Sequence, residues 1–274
     1  MSNYQENKSR NIRIRAKNRL RNMVAMLFAR RLCKWDGTEP FISFTFDDFP
    51  QSAYEGGGAI LRKYKIRGTY YTSMGLMGRE SPVGVIFSPE NLKEILDEGH
   101  ELGCHTYGHI DAWDGKAEIF ERSILKNREA LLEIIGYTDF ITMSYPKRHP
   151  HPRNKRVAGK YFECCRGGGQ TFNSGVIDLN LVKSCFIDKI NNETEETLKF
   201  KIDQNRKERG WLIFSTHDVR DNPSRFGCTP EFFEGVVRYA VDSGAVILPV
   251  CEVYSFCLKS PNYRIKSGIK ESLI

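Results

Sequence analysis

From residue 39 to residue 258 the chain alternates short runs of β-branched and aromatic residues with longer stretches of helical period. The runs are 41–48 (FISFTFDD), 67–74 (RGTYYTSM), 100–105 (HELGCH), 140–144 (FITMS), 211–217 (WLIFSTH) and 245–250 (AVILPV). Their length and composition predict buried strands. Between them, 56–64, 88–99, 117–135 and 230–243 predict helices. Ser88 followed by Pro89 is an N-cap with a first-turn proline, and Gly136 closes the long amphipathic helix 117–135. Residues 147–156 read as a basic, Pro-rich loop, and a further βα passage around Gly167–Gly169 has a fainter pattern. Strands and helices alternating in this way imply an α/β domain built on a parallel sheet or barrel. Polar residues recur where the strands end, which is where barrels of this kind keep their chemistry.

Three segments follow from this pattern: an N-terminal extension over 1–38, one large domain over 39–258, and a polar C-terminal tail over 259–274. At 274 residues one core is affordable, and no repeat or linker divides the central segment. The net charge of +7 is unevenly placed. Residues 1–34 hold ten Lys/Arg against the single acid Glu6, and the remaining 31 basic and 33 acidic residues nearly cancel. Residues 12–32 have a helical period with Leu20, Val24, Leu27 and Arg31 along one face. Such a basic amphipathic helix suits peripheral contact with an anionic membrane through residues 10–34; a helix packed on the domain, or a solvated arm, fits the pattern equally. No stacking aromatics or recognised module accompany the charge, so nucleic acid is not an expected partner. Met23–Ala29 is too short to span a bilayer and lacks a signal-peptide cleavage site. Eight cysteines without repeated spacing read as buried, reduced thiols. The expected location is the cytoplasm or the inner membrane face; the oligomeric state is not legible.

The chemistry begins at Asp47 and Asp48, two consecutive carboxylates ending a buried strand. Adjacent acids repel and resist desolvation, so they require partners. Side chains alternate along a strand, so the two point differently and do different work. His105 and His109 follow another strand end at i and i+4, a spacing that brings two imidazoles onto one ion when the segment turns tightly. Asp48, His105 and His109 make a two-His, one-carboxylate set that leaves positions open for water and substrate. Zinc suits it best, with cobalt, nickel or iron as alternatives. Asp47 is then placed as a base and His217, at a further strand end, as an acid. An ion there lowers the pKa of water and polarises a carbonyl, which describes hydrolysis of an amide or ester. Taken alone, His217-Asp218 reads as a capping pair after a strand.

These residues carry a family resemblance. TFDD at 45–48, HTxxH at 105–109 and the strand-terminal His217 resemble the polysaccharide deacetylases, the NodB-homology domain of carbohydrate esterase family 4. Segments 66–73, 92–109 and 226–250 agree with the family in order and spacing, and the likeness covers nearly all of 39–258. It implies a distorted (β/α)7-type barrel and a zinc-type Asp-His-His site. It also implies Asp47 as general base, Asp48, His105 and His109 as metal ligands, and His217 as general acid. The implied reaction removes acetyl from an N-acetylated saccharide, with polymeric, oligomeric and lipid-linked substrates as alternatives. The family's third motif, Arg-x-Pro-aromatic-Gly, is altered: Tyr145 and Pro146 remain, but Ser144 stands for the arginine, Lys147 for the aromatic and Arg148 for the glycine. Tyr145, Pro146 and Lys147 are expected to line the substrate, with a backbone N–H at Lys147 holding the oxyanion. Arg166, just before the glycine run, is expected to replace the missing arginine in orienting Asp47. The fourth motif is not recognisable. Two other readings stay open: a hydrolase of a non-carbohydrate amide on the same fold, and a sugar-binding relative with weakened turnover.

The other singled-out residues have plainer expectations. His100 reads as structural. His149 and His151 read as solvated loop residues or the rim of a sugar groove, and Cys104 as a small buried neighbour of His105. Leu212 and Phe214 read either as walls of an acetyl-methyl pocket or as ordinary core.

Overall fold

The structure, a computed structural model, describes residues 17–35, 37–136 and 140–259, with side chains described to residue 255. A helix, α1 (17–27), leads into a short strand, β1 (Leu32–Lys34). The sheet that organises the domain then begins at β2 (Phe41–Phe46), followed by a π-helical turn and α2 (Ala59–Lys63), and by β3 (Thr69–Thr72). A two-stranded hairpin, β4 (Glu80–Ser81) and β5 (Gly84–Val85), precedes α3 (Pro89–Asp97). Next come β6 (Glu101–Cys104), α4 (Ala117–Ile135), β7 (Thr142–Ser144), α5 (Pro152–Tyr161) and β8 (Cys164–Arg166). The chain ends with β9 (Val176–Asp178), β10 (Cys185–Phe186), α6 (Glu195–Lys207), β11 (Trp211–Thr216), α7 (Pro230–Asp242), β12 (Val246–Ile247) and α8 (Val250–Lys259).

The main sheet runs β10-β11-β2-β3-β6-β7-β8, with β12 also on β2, and every pair in it is parallel. It curls so that its two ends approach. Val182 bonds to Cys165 and Gly167 at the β8 edge, and Cys185–Phe186 pairs with β11, so residues 182–186 bridge the ends. This is the distorted (β/α) barrel expected from the alternating pattern. Its two faces are built from the two side-chain sets of each strand. Ile42, Phe44, Phe46, Tyr70, Leu102, Met143, Leu212 and Phe214 face outward into the core beneath the helices, where Phe44 stacks on Phe214 at 5.4 Å. A second cluster joins Phe41, Cys164, Trp211 and Ile213 at the starts of the strands to Trp35, Val250, Val253 and Tyr254. There Trp35 stacks on Trp211 at 5.9 Å.

Sequence and structure agree closely at Ser88, whose hydroxyl accepts from the Asn91 N–H in a reciprocal capping box, and at Gly136, which ends α4 in the left-handed region. They differ in three places. Residues 152–156, expected as loop, open α5, with Pro152 in its first turn and the His151 ring accepting from Arg153 N–H. The final strand is only Val246–Ile247, and α8 follows it at once. Residues 25–35, expected within the extension, pack into the domain: β1 pairs with β9, and Ala25, Cys33 and Trp35 are buried. Of the seven described cysteines, all but Cys251 are buried.

Candidate active site

Three segments at the C-terminal ends of β2, β6 and β7 depart from regular backbone, and they carry the candidate residues. Among the described residues eleven non-glycines have positive φ; six of them, Asp48, Phe49, Thr106, His109, Lys147 and Arg148, belong to these segments. Backbone held in this sparsely populated region costs energy and persists only where packing over-determines it. Phe49 is fully buried against Tyr70 at 4.8 Å and Phe87 at 5.1 Å, which fixes the turn that swings Asp48 away from Asp47. The Thr106 hydroxyl accepts from the Ile110 N–H at 2.8 Å and braces the turn that brings His109 back beside His105.

The result is a compact cluster. His105 Nε2 lies 3.6 Å and His109 Nε2 3.5 Å from Asp48 Oδ1. Their candidate ligand atoms all fall within 4.8 Å of one another. His105 Nδ1 is 2.8 Å from the Ser144 carbonyl. A carbonyl only accepts, so Nδ1 holds the proton and the Nε2 lone pair points into the cluster, the tautomer a metal ligand needs. Burial is the largest effect on His105 and brings its pKa down to about 4, so it is neutral near pH 7. Asp48 Oδ1 is buried and has no hydrogen-bond partner. An orphaned buried carboxylate oxygen facing two imidazole lone pairs fits a divalent cation and fits little else.

Asp47 is buried on the inner side of the barrel, hydrogen-bonded by Arg166 Nη2 and, at 3.3 Å, by the Ser215 hydroxyl. Burial would raise its pKa, but the Arg166 guanidinium, helped by His105 and His217, holds it well below the usual carboxylate range. Arg166 reaches it from β8 while also donating to the Ser144 and Ser184 hydroxyls, and it lies over the Tyr71 ring at 5.1 Å. Ser144 and Arg166 are register partners on adjacent strands. The guanidinium missing at 144 is therefore supplied from the next strand at the same level of the barrel.

His217 ends β11 with Nε2 3.9 Å from Asp48 Oδ2 and Nδ1 3.2 Å from the Phe226 carbonyl, so its free nitrogen also faces the cluster. Asp218 turns away and caps its own loop, accepting from the Ser224 N–H and hydroxyl at 2.6 Å each and from Arg220. This loop passes so close to the Asp218 carbonyl that only glycine fits at 227. Lys147 Nζ pairs with Asp111 at 3.0 Å. Among the described residues nothing accepts from the Lys147 backbone N–H.

A cleft of about 360 Å³ joins these groups: Asp47, Asp48, His105, His109, Tyr145, Lys147, Arg148 and His217 line it, with Leu76, Val83, Ile86, Phe186 and Phe226 as its apolar wall. Of the residues read from sequence, Arg166 lies behind Asp47 and does not reach the cleft, and Pro146 is not in its lining. Tyr145 is among the cleft's lining residues, but its hydroxyl donates to the Asn180 carbonyl and its N–H to the Arg166 carbonyl. Phe214 and Leu212 are core, not wall. Residues not foreseen are Asp111, which holds Lys147, and Arg148, which pairs with Asp188 at 2.8 Å over the Phe186 ring. The apolar wall from the 76–86 segment was not foreseen either. These arise from contacts between distant segments, and no local signal marks them.

Comparison with known proteins finds likenesses in sequence and in fold. The sequence model of the polysaccharide deacetylase family matches residues 34–161, which include β2 and the HTxxH turn. A peptidoglycan-N-acetylglucosamine deacetylase of Bacillus cereus is 34% identical over 92 residues, 33% of this chain and 39% of that protein. The chain thus spans well under two-thirds of that relative. A family 4 acetyl xylan esterase from Clostridium thermocellum, solved with a cobalt ion, superposes with a TM-score of 0.55 at 17% identity, covering 79% of this chain and 91% of the other. The chitin deacetylase of Colletotrichum lindemuthianum gives 0.56 at 17% identity, covering 82% and 91%. At such identities these two likenesses establish the shared barrel. Residues 34–161 thus match the polysaccharide deacetylase family, and the chain shares its barrel with solved members of that family.

Proposed function

We propose that the chain is a metal-dependent hydrolase that removes N-acetyl groups from an N-acetylated saccharide and releases acetate. The observation that carries this reading is the convergence in one cleft of the Asp48–His105–His109 cluster, an ionised Asp47 and the free nitrogen of His217. Asp48, His105 and His109 would hold the ion, zinc by donor type with cobalt, nickel or iron as alternatives. Bound there it would acidify water and polarise the acetyl carbonyl. Asp47, held ionised by Arg166, takes a proton from the attacking water. The Lys147 N–H donates to the carbonyl oxygen as negative charge develops on it. The C–N bond then breaks, with a proton from protonated His217 going to the leaving nitrogen, so that acetate and a free amino sugar result. Leu76, Val83, Ile86 and Phe226 exclude bulk water and receive the acetyl methyl group. The named activity of the Bacillus cereus relative supports an N-acetylglucosamine unit as the substrate.

The test is acetate release from N-acetylglucosamine oligomers by the full chain, with and without added Zn²⁺ or Co²⁺. Release that requires the ion and is lost in Asp47→Asn and His109→Ala is expected. Saccharide binding by the metal-loaded chain without any release would overturn the reading, and a product other than acetate would move it to another amide.

A further inference from the structure

α1 is docked inside out. Its inward face carries Ala25, fully buried, together with Arg21, which donates to Asp114 at 2.7 and 2.9 Å and lies over Trp113 at 5.1 Å. Where the helix ends, the fully buried Lys155 donates to the Ala25 and Phe28 carbonyls at 2.7 and 2.9 Å and pairs with Asp178 at 2.6 Å. Arg31 continues the attachment by donating to the Phe162 and Glu163 carbonyls. Polar and basic groups thus face the protein.

The outward face is apolar. Leu20, Met23, Met26, Leu27, Phe28 and Leu32 are 44–60% exposed. They make up six of the thirteen exposed large hydrophobic residues among those described, within thirteen consecutive positions, and Val176 adds to them from the strand paired with β1. Scattered exposed apolar side chains need no explanation, but a contiguous patch marks a binding surface. Interleaved with the patch are the exposed Lys17, Arg19 and Arg30, with no acid anywhere from 17 to 34. Asp114 and Asp178, the acids packed beside this segment, are already engaged by Arg21 and Lys155.

We infer that this face seats the domain on an anionic lipid surface, with the apolar side chains at the headgroup boundary and the three basic groups among the phosphates. A soluble protein partner would satisfy the apolar patch alone; the positive charge of Lys17, Arg19 and Arg30 selects a surface with dense negative charge. The attachment is rigid, because Lys155 and Arg31 clamp the end of the helix. It also bears on the cleft. Asn22 and Met26 share a cavity of about 320 Å³ with Gly168 and Gly169, and Gly168 packs on Arg148, which lines the cleft. Lipid held by α1 therefore lies on the side of the barrel from which the cleft's Arg148 wall is built. The inference does not depend on the reaction proposed above.

The experiment is vesicle flotation with the full chain, comparing phosphatidylcholine vesicles with vesicles containing 30 mol% (about one lipid in three) phosphatidylglycerol. Binding to the anionic vesicles is expected to be at least tenfold tighter, since each basic group near such a surface is worth roughly a fivefold gain. It should weaken in high salt and fall at least ~25-fold in Arg19→Glu/Arg30→Glu. Met23→Ser/Leu27→Ser/Phe28→Ser should lose binding with an unchanged melting temperature, because these side chains are solvent-exposed. Equal affinity for both vesicles, or full binding by the triple variant, would overturn the inference. So would a lipid-independent dimer in analytical ultracentrifugation that the triple variant abolishes, which would assign the face to a second copy of the chain.

Discussion

The cross-strand arginine makes the sharpest prediction. Arg166 is 1% exposed and Asp47 4%, so the ion pair is buried. In Arg166→Met the carboxylate keeps only the Ser215 hydroxyl, and an uncompensated buried charge of this kind costs about 3–5 kcal/mol of folding stability. Asp47 would also lose its orientation, and mispositioning a proton acceptor by about 1 Å costs roughly 100-fold in rate. Two companion variants separate the effects. Asp47→Asn/Arg166→Met removes both charges and should regain most of the stability in urea unfolding while remaining inactive. Ser144→Arg/Arg166→Ser returns a guanidinium from the register partner and should recover much of the acetate release lost in Arg166→Ser. If Arg166→Met matches wild type in both assays, or if the folded swap variant is no more active than Arg166→Ser, the positioning argument is wrong.

Two further predictions concern the framework. Asn127, fully buried on α4, accepts from the Met74 N–H at 2.8 Å and donates to the Thr72 carbonyl at 2.9 Å, tying the end of β3 to the helix. Asn127→Ala strands both groups and should cost about 2–4 kcal/mol in urea unfolding, and a loss under about 1 kcal/mol would refute that role. Glu101 is buried and accepts from the Thr142 and Thr69 hydroxyls and from the Cys251 N–H in the first turn of α8. Burial raises its pKa despite these donors. A raised carboxyl pKa means that the folded state holds the proton more tightly, so its stabilisation is complete below the unfolded value, about 4.3, and fades as pH climbs through the folded value. The melting temperature of wild type relative to the always neutral Glu101→Gln should therefore fall as pH rises above that unfolded value, and a flat difference would contradict this.

The parts of the site that could be read from sequence are those whose partners lie close together in the chain or end a strand. TFDD and HTxxH each fit within five residues, and their strands are apolar on either side. α5 was hidden because its buried face includes Asn154 and Lys155 beside Val157 and Ala158, so the helical period of apolar residues is broken where it should be clearest. Lys155 can be buried there only because three oxygens from α1, its following turn and β9 surround its ammonium, and none of these is near it in sequence. α8 was hidden for a related reason. The Val250 and Cys251 N–H groups at its start bond to Thr69 and Glu101, more than a hundred residues earlier, so no local capping residue announces it. The apolar period of α1 was legible, but not which way it faces. The rule that apolar faces turn inward would have pointed it the wrong way.

Ser144 shows why the altered third motif is compatible with an intact site. Its carbonyl fixes the tautomer of His105, and its hydroxyl receives the guanidinium that holds Asp47, so one residue orients both a candidate ligand and the candidate base. An arginine at 144 would reach Asp47 from the same strand that orients His105. With serine there, the space across the register is open to a side chain from β8, and Arg166 fills it while Ser184 secures the far side of the guanidinium. The small residue at 144 and the arginine at 166 fit one another, because a bulky side chain at 144 would exclude the guanidinium and a small one at 166 would leave Asp47 buried without its ion pair. What the chemistry requires is a guanidinium at that level of the barrel, and two adjacent parallel strands offer equivalent places from which to supply it.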